Sequence, residues 1–586
     1  MNKNQQSLKT IFVEALGHYR KKDFKTAEVF CYKILSIDRN HFDSISLLAN
    51  IFAVNRNFDK AKEFLEKAIK IQPENITILN NLGTAYRELG DTEKAMTFYQ
   101  KVLGINSNHT NANYNLGLIF YRLKEPRRAK EYLEKTVKIQ PNYAFAHFSL
   151  GNLQKELKKL KQAKESYLKA IELRPSFASA QNNLGLVFSN IGDPDSAVKC
   201  YKKALEIDPK HAGAYNNLGR LYTETGELEK AIESYKVAIK LEPQNLVHTY
   251  YLSELDKNFL NSEVKNKTEE ILNNKETYRI NLVYGNFLLS RYERNEKNYE
   301  KEFNYLIKAH KNYFELKKKK FESGIKYCFN DVLQISKFAK LKNANNNNKI
   351  KPIFIIGVPR CGSTLIEKII GSGKESIPMG EEVVVLEHFI NKKVFEKKSL
   401  NLGEADSFGD ELVSIYKNRG LIDEKSNFVF TDKSLNNFFY LGLIKVIFPE
   451  SKVINCRRES LSSIMSIFQN NLTELAWAHN LENIFKYFDY YFQIIDEFKK
   501  KYPGFIYDLN FENFTNEPEI ESKKLLKYCN LAWDKKCLKF YKRKDIIAKT
   551  TSRIQIRKPI YKHSSDKYLP YKKLLDKYGN KYSWFN

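Results

Sequence analysis

From about residue 7 the chain repeats itself every 34 residues. Gly83, Gly117, Gly151, Gly185 and Gly219 fall at that interval, and Ala27, Ala61, Ala95, Ala129, Ala163, Ala197 and Ala231 keep their own phase with it. Pro73, Pro141, Pro175, Pro209 and Pro243 recur in register. A unit this short cannot bury an apolar face by itself, so successive units must stack on one another. Small residues at fixed places let two antiparallel helices approach closely, and a proline behind the second helix stops it. The first half of the chain is therefore read as a helical solenoid.

Segments such as "NNLGTAYRELGDTEKAMTFYQKVLGINSN" and "NNLGRLYTETGELEKAIESYKVAIKLEPQ" resemble the tetratricopeptide repeat. About seven repeats are expected over residues 7–244, as an array binding a protein or peptide. Asn81, Asn115, Asn183 and Asn217 share one position, two before the glycine. The resemblance to asparagine-rich arrays in glycosyltransferases implies an amide ladder for an extended peptide. The other reading is that these amides bond between neighbouring repeats. Residues 245–341 lose the clean period and read as degenerate helical repeats capping the array, with Gly285 in the glycine position. The run "KNANNNNKIKP" (342–352) reads as a low-complexity linker.

Composition narrows the classes. A chain of 586 residues is too long for one core. The net charge is +28, yet no compact basic run with interleaved aromatics appears, and the Lys/Asn/Ile/Phe/Tyr loading looks like coding bias. Nucleic acid is therefore not expected as a partner. No apolar run approaches the roughly 20 residues that span a bilayer. The N-terminal segment mixes apolar residues with charges and lacks a signal-peptide pattern. Seven scattered cysteines without CxxC spacing point to free thiols in a reducing, cytoplasmic setting. No metal-ligand spacing is seen. Oligomeric state is not readable.

After the linker the pattern changes. Short apolar runs at 353–357, 428–432, 452–456 and 504–511 alternate with helical stretches, arguing for a parallel sheet covered by helices over residues 353–586. "IFIIGVPRCGSTLIEKII" (353–370) places a glycine-containing loop between the first strand and a helix starting near Ser363. That is an anion cradle, with backbone N–H groups and the helix dipole aimed at the ligand. Arg360 adds a planar fork, and Ser363 and Thr364 add hydroxyls. The lysine of a nucleotide-triphosphatase loop is missing after Gly362, which disfavours an NTPase or kinase.

The segment "FIIGVPRCGSTLIEKII" closely resembles the 5′-phosphosulfate loop of sulfotransferases. The order of later motifs resembles the protein-tyrosine sulfotransferases and the bacterial tetratricopeptide-repeat sulfotransferases. The resemblance implies an α/β P-loop-like domain using 3′-phosphoadenosine 5′-phosphosulfate (PAPS), with no metal. It places the cofactor contacts on Arg360, Cys361, Gly362, Ser363, Thr364, Arg458, Ser466, Ser552 and Lys567, with Arg457 as the alternative to Arg458. Glu382 of "GEE" is implied as the general base, with Glu381 as substitute. Lys433, Arg360 and Ser552 are implied to stabilise the transferring group, whereas His388 reads as structural. Departures from the family are Cys361 for serine, Ser363 for threonine, Phe511 for tyrosine, and Val384 where the tyrosine enzymes carry an arginine. The implied reaction is sulfuryl transfer to an acceptor hydroxyl, possibly a protein tyrosine. The alternatives are a glycan or small-molecule acceptor, or a repeat scaffold whose nucleotide-binding α/β domain is inactive.

Overall fold

The computed structural model describes residues 3–333, 350–374, 377–395, 405–422, 428–543, 554–561 and 566–585. It divides into two compact units, Met1–Ala214 and Tyr215–Asn586.

The first unit consists of helix pairs, from Lys3–Arg20 with Phe24–Ile37 to Ala178–Ile191 with Pro194–Ile207. Asp23, Asn57, Asp91 and Asp193 cap second helices, each accepting the backbone N–H three residues on. The repeated alanines Ala27, Ala61, Ala95, Ala129, Ala163 and Ala197 are completely buried. A Cβ added at Gly83, Gly151 or Gly185 would lie 2.7, 2.8 or 2.6 Å from the ring of Tyr99, Tyr167 or Tyr201. Each repeated glycine is thus the slot that receives an aromatic ring from the partner helix, and Gly117 receives Leu133 in the same way. Pro73, Pro141, Pro175 and Pro209 each stand two residues beyond the last helical residue.

The repeated asparagines bond within the array. Asn81 donates to Asn50 at 3.3 Å, Asn183 donates to Asn152 at 2.8 Å, and Asn115 accepts from Arg87 at 2.5 Å. These contacts favour the amides as links between neighbouring repeats.

The second unit opens with further helices and continues into an α/β domain. A Cβ at Gly219 would meet Tyr235 at 2.8 Å, repeating the earlier contact. Helices Leu246–Leu255, Ser262–Asn273, Arg279–Asn295 and Tyr299–Leu316 then follow. Gly285 again sits against large side chains, 2.8 Å from both Leu246 and Leu272 if given a Cβ.

Five parallel strands form the sheet: β1 (Lys351–Gly357), β2 (Met379–Glu381), β3 (Val429–Lys433), β4 (Lys452–Arg457) and β5 (Ile506–Asn510). Their order is β2-β3-β1-β4-β5. β1 is central and buried from Pro352 to Gly357, which is why it reads as a continuous apolar run. Its register pairs Gly357 with Cys456 of β4. Strands depart from β1 to both sides, which opens a crevice at their carboxyl ends. The structure adds a strand that the sequence pattern did not indicate, β2, which carries the first two residues of "GEE". Three residues are too few to show an alternation. β1 also begins two residues before the expected start, inside the expected linker, while residues 342–349 lie outside the described ones.

Two buried histidines join the helical part of this unit to the α/β domain. His310 Nδ1 lies 2.9 Å from His479 Nδ1, and His310 Nε2 lies 2.8 Å from the Phe468 carbonyl. His479 Nε2 in turn lies 3.2 Å from the Leu472 carbonyl, so the outer nitrogen of each ring faces a backbone acceptor. Burial holds His310 down to about 4; burial and then the charge of His310 hold His479 down to about 3.

Two outcomes follow for stability. Gly185→Ala places a methyl group against Tyr201 and should destabilise the array by about 1–3 kcal/mol, read as a lower urea midpoint. Both histidines titrate below their unfolded value, so their contribution is complete above about pH 6.5 and is lost as pH falls toward 4. Urea unfolding at pH 7 and 4.5 should show a loss on the order of a few kcal/mol. Replacing both histidines by phenylalanine should flatten that slope.

Candidate active site

The site is built at the carboxyl ends of β1, β3 and β4. β1 ends at Gly357 with φ +150°, and a Cβ there would lie 2.7 Å from the Cys456 carbonyl, so only glycine fits. The loop then turns through Arg360 (φ +71°) and Gly362 (φ +95°) into helix Ser363–Ile370. Gly362 is the residue before that helix, and the Phe511 ring covers it: a Cβ would stand 2.2 Å away. Phe511 therefore acts as a packed lid on the loop glycine, a role that needs no hydroxyl.

Arg360 Nε donates to Ser466 Oγ at 3.0 Å, and Arg458 donates to the Arg360 carbonyl at 2.9 Å. The Arg458 guanidinium also lies 5.4 Å from the centre of the Phe511 ring. Three expected anion contacts from three separate elements thus converge. Burial, and then the charge of Arg458, push the Arg360 guanidinium down from its usual value. Two cations crowded in this way are stabilised by an anion between them.

The other side of the site is a cluster of carboxylates around one ammonium. Register pairs Glu381 with Lys433 across β2 and β3. Lys433 Nζ donates to Glu382 at 2.9 Å and reaches Glu381 and Thr364 at 3.5 Å each. Lys433 is 1% exposed and Glu382 is 45% exposed, so the ion pair has one buried and one open end. Burial alone would lower the Lys433 pKa, but Glu382, Glu381 and Glu367 more than offset it and hold the ammonium charged. Glu382 and Val384 have φ of +53° and +44°. These conformations are rare, for valine especially. They are held by Glu382 N–H donating to the Lys433 carbonyl at 3.1 Å and Val384 N–H donating to Ser434 Oγ at 2.9 Å. His388 lies exposed on the next short helix, Val385–Ile390.

Beneath this pair lies a layer that sequence reasoning missed. Glu367 and Lys368 are both buried on the loop's helix. Thr431 Oγ1 donates to Glu367 at 2.8 Å and accepts from Gly380 N–H at 3.1 Å. Lys368 Nζ bridges Glu381 at 3.2 Å and Glu367 at 3.5 Å. Glu367 thereby ties the loop helix to the backbone of "GEE". Its signal in the sequence was an adjacent acid and base inside the otherwise apolar "STLIEKII".

Arg360, Cys361, Gly362, Ser363, Thr364, Arg458 and Ser466 occupy one side of the site, Glu382 and Lys433 the other, and Thr364 connects them. Ser552 lies outside the described residues. Lys567 falls in the short helix Asp566–Tyr571, and its side chain lies outside them too. Arg457, the alternative to Arg458, is exposed and ends β4. A small cleft of about 70 Å³ beside Gly362 and Phe511 is also lined by Lys558 and Tyr561. Among the described residues no cluster of His, Cys, Asp and Glu is placed to hold a metal ion, and no helix is long and apolar enough to cross a membrane.

Residues 352–535 match the sulfotransferase family, and segments within residues 41–242 match tetratricopeptide repeats. The chain is a tetratricopeptide-repeat protein with a sulfotransferase-family domain. An uncharacterized protein of Aquifex aeolicus (strain VF5) is 30% identical to it over 328 residues, covering 52% of this chain and 42% of that protein. This chain thus spans less than half the length of that relative. The crystal structure of MamA is 29% identical and covers 28% of this chain and 95% of its own, with a TM-score of 0.26. A tetratricopeptide-repeat protein from Parabacteroides merdae ATCC 43184 is 21% identical, covering 42% and 98%, with a TM-score of 0.36.

In this sulfotransferase-family domain Thr431→Val keeps the shape of the side chain but removes both hydrogen bonds of the Glu367–Thr431–Gly380 relay. It should cost about 1–3 kcal/mol in urea unfolding, because a buried carboxylate and a buried N–H each lose a partner.

Proposed function

We propose that the protein transfers a sulfuryl group from PAPS to an acceptor hydroxyl, with the repeat array recruiting a protein substrate or partner. The observation that carries this reading is the pairing of two features in one site. Arg360, Arg458 and Ser466 converge at one end, and the half-exposed Glu382–Lys433 pair stands at the other. We propose the division expected above: repeats over 7–244, a helical cap over 245–341, a linker over 342–352 and the transferase domain over 353–586.

The residues present fit the donor. The N–H groups opening helix Ser363–Ile370, with Ser363 and Thr364, would hold its 5′-phosphosulfate, and Arg458 and Ser466 its 3′-phosphate. The cleft beside Phe511 and Tyr561 offers aromatic faces to its base. Ser552 and Lys567 complete the proposed contacts. When bound, PAPS supplies an activated sulfuryl group. Glu382 is exposed enough to meet an acceptor and accept its hydroxyl proton. Lys433, kept charged by three carboxylates, stabilises negative charge on the departing side, helped by Arg360 and Ser552. The left-handed turn at Glu382 and Val384 fixes the base relative to β3, so little reorganisation accompanies proton transfer.

The acceptor is the open part of this reading. Val384 is held by its N–H to Ser434 and offers no charge to an acidic tyrosine peptide. That observation favours a glycan or small-molecule hydroxyl as the second reading.

The product nucleotide, 3′-phosphoadenosine 5′-phosphate, should raise the melting temperature well beyond any effect of ATP. At about 100 times Kd it adds about 2.7 kcal/mol. Equal shifts for both nucleotides, or none for either, would refute the donor assignment. Glu382→Gln should keep that stabilisation and lose transfer of radiolabelled sulfate by at least 100-fold. Unchanged transfer would remove Glu382 as the base.

A further inference from the structure

The segment 554–561 contributes Ile556, Lys558 and Tyr561 to the small cleft that Gly362 and Phe511 also line. Its short helix, Gln555–Arg557, packs on helix Ser363–Ile370, which follows the anion loop. The proposed transfer gives no role to Arg557 in this segment, yet both ends of its guanidinium are committed. Arg557 Nη2 donates to the Glu224 carbonyl at 2.9 Å, and Nη1 donates to the Arg543 carbonyl at 3.0 Å.

Glu224 lies in the last turn of helix Ala212–Thr225, the first helix of the last regular repeat. Its carbonyl is one of the four that an α-helix leaves without an internal partner, at the negative end of the helix dipole, so a guanidinium is favoured there on both counts. Arg543 does the same at the loop helix. Its Nη1 donates to the Gly371 carbonyl at 2.6 Å and to Ser372 Oγ at 3.1 Å, just beyond helix Ser363–Ile370. A path of hydrogen bonds therefore runs from the end of a repeat helix, through Arg557 and Arg543, to the end of the helix after the anion loop. All of it lies within the unit Tyr215–Asn586.

Gly226 leaves room for this path. It has φ +91°, and a Cβ there would lie 2.9 Å from Arg557 Nε and 3.1 Å from Arg557 Cδ. The left-handed turn does not itself demand glycine: Arg56, Lys124 and Lys158 hold the same place in earlier repeats with φ of +59°, +61° and +57°. At Gly90, also in this place, an added Cβ would meet nothing within 4 Å. The turn at Gly226 is thus bare where the arginine passes over it.

We propose that Arg557 is a positioning residue through which the last repeat holds segment 554–561 against the anion-loop helix, so that the donor cleft keeps its shape only while this contact is made. The consequence for the donor rests on the reading given above; the tether does not. The planar fork of arginine serves two carbonyls from separate elements at once, a geometry that a compact ammonium lacks.

The test compares Gly226→Lys with Gly90→Lys in the whole chain. Lysine already stands at this place as Lys124 and Lys158, so the turn accepts it. Hydrogen exchange is followed at the Arg557 and Lys558 amides, which donate to the Ile554 and Gln555 carbonyls. The Kd of 3′-phosphoadenosine 5′-phosphate is measured by calorimetry. Gly226→Lys should speed exchange across 554–561 and weaken the nucleotide about tenfold. Gly90→Lys should change neither. Arg557→Ala should match Gly226→Lys, and the double variant should be no worse than either single one, because both break the same path. Unchanged exchange in Gly226→Lys overturns the proposal, as does faster exchange with unchanged nucleotide affinity, or an equal effect of the two lysine variants. If the unaltered protein ignores the nucleotide while Gly226→Lys still loosens the segment, the tether stands and the donor reading falls.

Discussion

A buried ammonium must be surrounded by negative charge or lose its proton, and Lys433 meets that requirement at the end of β3. Its partners come from different segments: Glu381 at the end of β2, Glu382 one residue beyond, and Glu367 from the helix that follows the loop. The short edge strand β2 is held in register by this contact and by the Gly380–Thr431 hydrogen bond. The same cluster therefore positions the loop helix, the edge strand and the one half-exposed carboxylate. Removing the ammonium would leave like charges crowded in a dry site, and the conformations at Glu382 and Val384 would lose what holds them.

Lys368 extends this arrangement. Two ammoniums face three carboxylates, so the cluster carries excess negative charge while all are ionised. Burial pushes Glu367 up from its usual value, with Lys368 and Lys433 acting against it. The two lysines divide the work: Lys368 bridges the buried pair Glu367 and Glu381, which leaves Lys433 closest to Glu382. Glu382, the proposed base, thus meets the crevice while Lys433 and its other counter-charges lie beneath it.

How much of this was legible in the sequence depends on the periodicity of each part. The solenoid was readable because the same glycine slot and buried alanine recur every 34 residues, and each recurrence strengthens the others. β1 and β4 were readable because both faces are covered: β1 is a continuous apolar run, and the buried stretch of β4 is apolar apart from Asn455. β2 was not, because three residues carry no period and its placement is set by Thr431 and Lys433, about fifty residues away. Glu367 and Lys368 were passed over because charged residues in a helix ordinarily face water, whereas these two are buried by their partnership with Thr431 and Glu381. The strand–loop–helix cradle with Arg360 was proposed from its own residues, and Arg458 and Ser466 were proposed through resemblance. The contact of Arg360 with Ser466 was not, since linear spacing says nothing about which side chain closes on which.

The repeats and the α/β domain solve one packing problem in two ways. In the array, a missing side chain at Gly83, Gly151 or Gly185 makes room for a tyrosine ring, so the glycine serves cohesion. At the site, Gly357 and Gly362 make room as well, but what fills the space differs. Gly362 accepts the Phe511 ring. Gly357 accepts the sulfur of Cys361 and the carbonyl of Cys456, a softer filling than a ring. A serine hydroxyl at 361 could cradle an anion as well as a thiol can, and more strongly. What the sulfur adds is bulk: it fills the space that Gly357 leaves beside the Cys456 carbonyl, which a smaller hydroxyl would fill less completely.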